Sequence, residues 1–171
     1  MSTQTTTMLS PLMMEMEKEA EATRRLLERV PEDRLDWRPH AKSFSLGELA
    51  LHIAAIPAHI ANMSRQSPYE MSSAKKQGPP KHRAEILDTF EKSQREAMKI
   101  WGETSDQEAM SEWSATLQGK PVFAAPRIGL ARVIGMNHLY HHRGQLTVYL
   151  RLLDVPLPSV YGPTADENPF A

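Results

Sequence analysis

The architecture turns on "RIGLARVIGMNHLYHHRGQLTVYLRLL", residues 127–153. Taken as a helix of about seven turns, it puts Ile134, His138, His142, Gln145 and Tyr149 on one face, with Val133, Leu146, Leu150 and Leu153 close by. Three of the chain's seven histidines fall within the five positions 138–142, on or beside an apolar stripe. A helix this long, apolar along one side, needs other helices to cover it.

Working outward, the rest of the chain supplies them. Leu12, Met13, Met16, Ala20, Thr23, Leu27 and Val30 recur at helical steps, with Glu15, Lys18, Glu21, Arg25 and Glu28 opposite. Ser10 is expected as the N-cap of that first helix, and Pro11 as its first residue. "VPEDRLDWRPHAKSFS", residues 30–45, reads as a loop. The second helix then opens on a capping box of Ser45 and Glu48. Its stripe is Leu49, Ile53, Ile56, Ile60 and Met63, and Pro57 is expected to kink it. A polar linker covers residues 67–80. The third helix is expected over 81–104, with Ile86, Leu87, Phe90, Ala97, Met98 and Trp101 inward. Residues 105–126 read as a connection holding a short helix near 106–112 and a brief extended piece near 121–124. The tail, "VPLPSVYGPTADENPFA", has too many prolines for a helix and is expected along the outside. With no convincing strand, the expected fold is all-α: a four-helix bundle in one domain over 1–171, with its core at about 8–155 and an extended tail at 156–171.

Composition narrows the function. The chain has 171 residues, 40% hydrophobic and 24% charged, with a formal net charge of −1. No global field draws it to nucleic acid or to an anionic membrane, and neither is expected as a partner. There is no cysteine, which excludes disulfides, thiolate metal sites and a cysteine nucleophile, and fits a cytoplasmic protein. The start "MSTQTTTMLS" has no signal-peptide pattern, and no apolar run reaches the roughly 18 residues of a membrane span.

The histidines carry the chemistry. His138 and His142 are four apart, so their Cβ atoms stand about 5–6 Å from each other on one helix face, the way a helix offers two imidazoles to one ion. Hydrogen bonding to neighbouring helices or water explains the same pair. A third ligand has to come from another helix. His52 and His59 in the second helix are seven apart, on nearly one face, and spacing does not choose between them. His141 points about 100° away from His142 around the helix and reads as lining a pocket, supporting a ligand or exposed. His40 and His82 lie in or beside loops and read as solvated. Gly144 costs about 1 kcal/mol in a helix interior, which close packing of another helix would offset. Arg143 reads as paired with a carboxylate or solvated, and Gln145 as bonded to a ligand imidazole or bridging helices. Glu48 either completes the capping box or orients His52.

"SLGELALHIA", residues 45–54, together with "NHLYHHRGQL", residues 137–146, resembles the DinB superfamily of metal-binding four-helix bundles, also described as bacillithiol-transferase-like. "VPEDRLDWRPHAKSFSLGEL" and "PSVYGPTADE" extend the likeness to nearly the whole chain. The resemblance implies a triad of His52, His138 and His142, selecting His52 because it follows S-L-G-E-L. It also implies up-down-down-up helix order, a homodimer, and one divalent ion: zinc or nickel foremost, with iron, cobalt and manganese as alternatives. A low-molecular-weight thiol is implied as co-substrate.

Three neutral imidazoles leave an open coordination position, which marks a catalytic rather than a structural site. The expected function is therefore a metal-dependent transferase or hydrolase that activates a small thiol or water for attack on a small-molecule substrate. His141, Tyr140 and Tyr149 are candidates for moving protons. The alternative is a non-catalytic metal- or small-ligand-binding bundle of stress response.

Overall fold

The computed structural model describes residues 6–73 and 78–171. Positions 74–77 of the polar linker and residues 1–5 of the N-terminal stretch lie outside the described residues.

Helix α1 spans Ser10–Leu27. Leu9, not Ser10, occupies its N-cap position. Ser10 is the first helical residue because its hydroxyl turns back to accept from the Thr7 N–H at 2.9 Å. Helix α2 spans Leu46–Ser64 and opens on the capping box: Ser45 Oγ accepts from the Glu48 N–H, and Glu48 accepts from the Ser45 N–H at 2.7 Å. The preceding loop takes two more of the first-turn donors. The N–H of Leu46 bonds the Trp37 carbonyl at 2.8 Å and that of Gly47 the Leu35 carbonyl at 2.9 Å. The start of α2 is thus tied down just before His52. Helix α3 spans Arg83–Glu103, and a single turn and a half, α4, spans Asp106–Met110. The last long helical stretch is α5, Arg127–Gly129, then a π-helical segment, Leu130–Met136, then α6, Asn137–Leu152.

Cross-helix contacts give the directions. Ala58 bonds Ser93, and Asn62 bonds Glu96, so α2 and α3 run the same way. Arg24 pairs with Glu91 while Met13 lies against Gly102, so α1 and α3 run oppositely. Tyr140 bonds Glu15 and Arg143 pairs with Glu19, so α1 and α6 run together. Tyr149 reaches Phe44 while Gly135 faces Ile60, so α6 opposes α2. Leu49, Ile53, Ile56, Ile60 and Met63, the stripe read from sequence, are all buried among these helices, as are Ile86, Phe90 and Trp101 of α3.

The all-α expectation is corrected by a small sheet. Strands β1, Tyr69–Glu70, β2, Glu112–Leu117, and β3, Lys120–Pro126, lie in that order, β1 parallel and β3 antiparallel to β2. The expected short helix is α4, and the expected extended piece falls inside β3. What turns this connection into a hairpin is Gln118–Gly119, with φ of 52° and 75°, the pair of left-handed residues a two-residue hairpin turn of the I′ kind requires. The sheet is anchored by Trp113, whose buried indole N–H donates to the carbonyls of Met63 (3.0 Å) and Gln66 (2.7 Å) at the end of α2.

After Leu152 the tail has no regular element. It lies against α1 and α6, where Arg25 holds Glu167 at 2.5 Å and Arg151 pairs with Asp166. Among the described residues no helix is long and apolar enough to cross a membrane.

Candidate metal centre

The antiparallel crossing of α2 and α6 brings His52 opposite His138 and His142. One ring nitrogen from each lies within 4.8 Å of the other two. Nε2 of His138 stands 2.8 Å from Nε2 of His142 and 3.3 Å from Nε2 of His52, so all three rings aim the same atom at one point. A zinc–nitrogen distance of about 2.05 Å corresponds to a nitrogen–nitrogen edge of roughly 3.3 Å in a tetrahedron. The donor set therefore fits a single ion, with His138 and His142 opening slightly.

Electrostatics prepares the rings for that use. Burial, together with the neighbouring imidazoles, pulls His52 and His138 down to about 4. Burial lowers His142 as well, against an opposing bond to Gln145. At neutral pH all three are uncharged, the form in which a ring nitrogen has a lone pair to give. Gln145 Oε1 lies 2.7 Å from His142 Nδ1. With the amide oxygen accepting from Nδ1–H, the lone pair of His142 sits on Nε2, facing its partners. Of the two roles open to Gln145, the imidazole bond is the one it makes, and Glu48 makes the capping box.

The other expected residues divide. His59 is exposed and lines the groove between α2 and α3, two turns beyond His52, outside the cluster. His141 is exposed, its ring centroid 4.9 Å from that of His142. Tyr140 turns to α1, where its hydroxyl donates to Glu15 at 2.6 Å, and burial and that carboxylate push its ionisation up. The Tyr149 hydroxyl donates to the Phe44 carbonyl at 3.3 Å. His40 and His82 are exposed, His82 beside Glu32 at 3.1 Å. Gly144 departs from the packing expectation: a Cβ there meets no heavy atom within 4 Å among the described residues. Val133, placed near the buried stripe from sequence, is exposed too: five residues before His138, it stands about 140° around an α-helix from it.

Arg143 is buried and carries the carboxylate pairing. It meets Glu19 at 2.6 Å and Thr23 at 3.1 Å, and also bonds the Tyr161 hydroxyl of the tail. Glu19 was missed in the sequence although it falls inside the Met16–Ala20–Thr23 stripe, an acid where apolar residues are due. Phe44 carried no pattern to be read, since a lone aromatic in a polar loop gives no periodicity. Its ring centroid lies 5.8 Å from that of His52 and 6.4 Å from that of His142.

The chain belongs to the DinB family, whose pattern matches residues 1–168. Among relatives, the chain is 27% identical over 157 residues to the uncharacterized protein YrdA of Bacillus subtilis, covering 88% of this chain and 86% of YrdA. In structure it resembles a DinB-like protein of Bacillus cereus, with a TM-score of 0.68 at 23% identity over 86% of this chain and 94% of that one. It also resembles the DinB-like protein YjoA of Bacillus subtilis, with a TM-score of 0.69 at 18% identity, covering 88% and 98%. At those identities the two structures speak for the fold alone.

Proposed function

We propose that His52, His138 and His142 hold one divalent ion, zinc or nickel foremost, and that the chain is a metal-dependent transferase or hydrolase working on a small molecule. The observation that supports this most is the convergence of three uncharged rings on one point beside an open groove. An ion held by three neutral ligands would keep its full charge, lower the pKa of a thiol or water, and supply the nucleophile at neutral pH.

The chain's own residues do the rest. Gln145 fixes the tautomer and orientation of His142. The capping box and the loop bonds to Leu46 and Gly47 hold His52 in register. His141, exposed beside His142, is the proposed proton carrier, whereas the hydroxyls of Tyr140 and Tyr149 already donate elsewhere. From the resemblance we further propose a cytoplasmic homodimer with a low-molecular-weight thiol as co-substrate.

The test is turnover. Metal-loaded protein is screened with a panel of small thiols against electrophilic acceptors, and with esters and amides for hydrolysis. Turnover abolished by a chelator and restored by the ion supports the enzyme. A fully loaded protein inert to both panels instead supports the non-catalytic metal-binding alternative.

A further inference from the structure

Resting on the metal reading above, we infer that the ligand taken at this centre carries an apolar body next to its metal-facing atom, and that Phe44 is the residue that selects it. The Phe44 ring stands beside two of the three histidines yet is 49% exposed. Its placement is built. The Phe44 carbonyl accepts from the Tyr149 hydroxyl, and the Tyr149 ring is braced edge-on by Trp37, with centroids 5.8 Å apart. The segment is held while the phenyl ring stays half exposed beside the rings.

A groove along α2 has His52 and Phe44 in its lining. Leu51 and Ala55, next to His52 along the helix, and Met71, 52% exposed, line it too. Glu48 is the acid at that end, and its carboxylate is already committed to the Ser45 N–H, with Arg38 at 3.6 Å. Among the described residues the groove's lysine is Lys92, on α3 near Ser93, which bonds Ala58 of α2. Ala58 is six residues past His52, about 9 Å along the helix. Beside His52 and His142 a ligand would therefore meet the half-exposed Phe44 ring. An apolar group would cover Phe44 and its neighbours, and removing that much apolar surface from water is worth roughly tenfold in affinity.

The experiment uses the full chain loaded with cobalt(II), titrated with phenylmethanethiol and with 2-mercaptoethanol. On binding, the S–H bond breaks, its proton passes to the buffer, and the sulfur electron pair bonds the cobalt. The resulting thiolate-to-cobalt absorption reads each affinity. In the wild type, phenylmethanethiol is expected to bind about tenfold more tightly than 2-mercaptoethanol. In Phe44→Ala the ratio should fall to near one, with cobalt content and visible spectrum unchanged, and Phe44→Leu should lie between. Equal affinities in the wild type, or a Phe44→Ala variant that keeps the preference or loses both thiols alike, overturns the inference while leaving the metal reading in place. Absence of any cobalt signal in the wild type overturns the metal reading and the inference with it.

Discussion

Gly47 shows how a single position holds the site. Its amide donates to the Leu35 carbonyl, and a Cβ on it would stand 3.1 Å from that oxygen, 3.2 Å from Leu35 Cβ and 3.0 Å from Pro80 Cγ. The glycine of the S-L-G-E-L segment is therefore required by the approach of a backbone, five residues before His52. Gly47→Ala should cost about 1–3 kcal/mol, read as a shift in denaturant midpoint with unchanged slope. A shift below half of that would mean the loop moves aside freely. At the same scale, His52 and His59 could not be told apart from spacing. Seven residues bring a helix back to nearly the same face, and what separates the two is the level along the axis at which α6 crosses. That level is a tertiary fact: Ile60 faces Gly135, a turn from His138, while His52 sits among the rings.

At the scale of elements, the long helices were legible because apolar residues repeat over several turns. α2 begins where its capping box begins, and its stripe is the one buried. The sheet was not legible. β2 is six residues long and turns only Trp113 and Ala115 fully inward, too short a run for alternation to stand out, and β3 carries Pro121 and Pro126, which argue against a strand unless it lies at an edge. β3 is that edge. The π-helical segment was equally hidden, since an extra residue per turn leaves no mark on composition. Gly144 belongs at this scale too. It sits in the interior of α6 facing open space, so Gly144→Ala should stabilise the monomer by about 1 kcal/mol through helix propensity alone, measured by denaturation at low protein concentration. A loss of stability would contradict the open space on that side of the helix. Arg143 and Glu19 sit between the legible and the hidden. The pairing of Arg143 with some carboxylate was among its readings, but which carboxylate depends on α1 and α6 running side by side.

Across the whole molecule, surface carboxylates clasp the pieces that lie outside the helices. Glu70 accepts from the hydroxyls of Ser72 and Thr116 and from the amides of Ser72, Gln118 and Gly119, joining the segment after β1 to the hairpin turn. Those bonds, led by the Ser72 hydroxyl, hold it down at about 2, against an ordinary 4.5. Asp166 and Glu167 of the tail are lowered by their bonds to Arg151 and Arg25. Each group binds its proton more readily in the unfolded chain than in the fold. Their contribution is present above the ordinary carboxylate range and is lost as pH falls, for Glu70 between about 4.5 and 2. The melting temperature should therefore drop across that window, and Glu70→Gln should flatten the drop. A variant melting with the wild-type pH slope would show that the clasp carries no proton linkage.

The centre itself depends on the whole fold, since its ligands come from helices that meet only when the bundle closes. Metal content is the direct reading. Purified chain loaded with zinc or nickel, dialysed and analysed for elements should hold about one ion per chain, while His142→Ala, shown folded by circular dichroism, should hold none. An ion that stays bound in that variant, or a wild type that releases its ion completely on dialysis, would contradict the account.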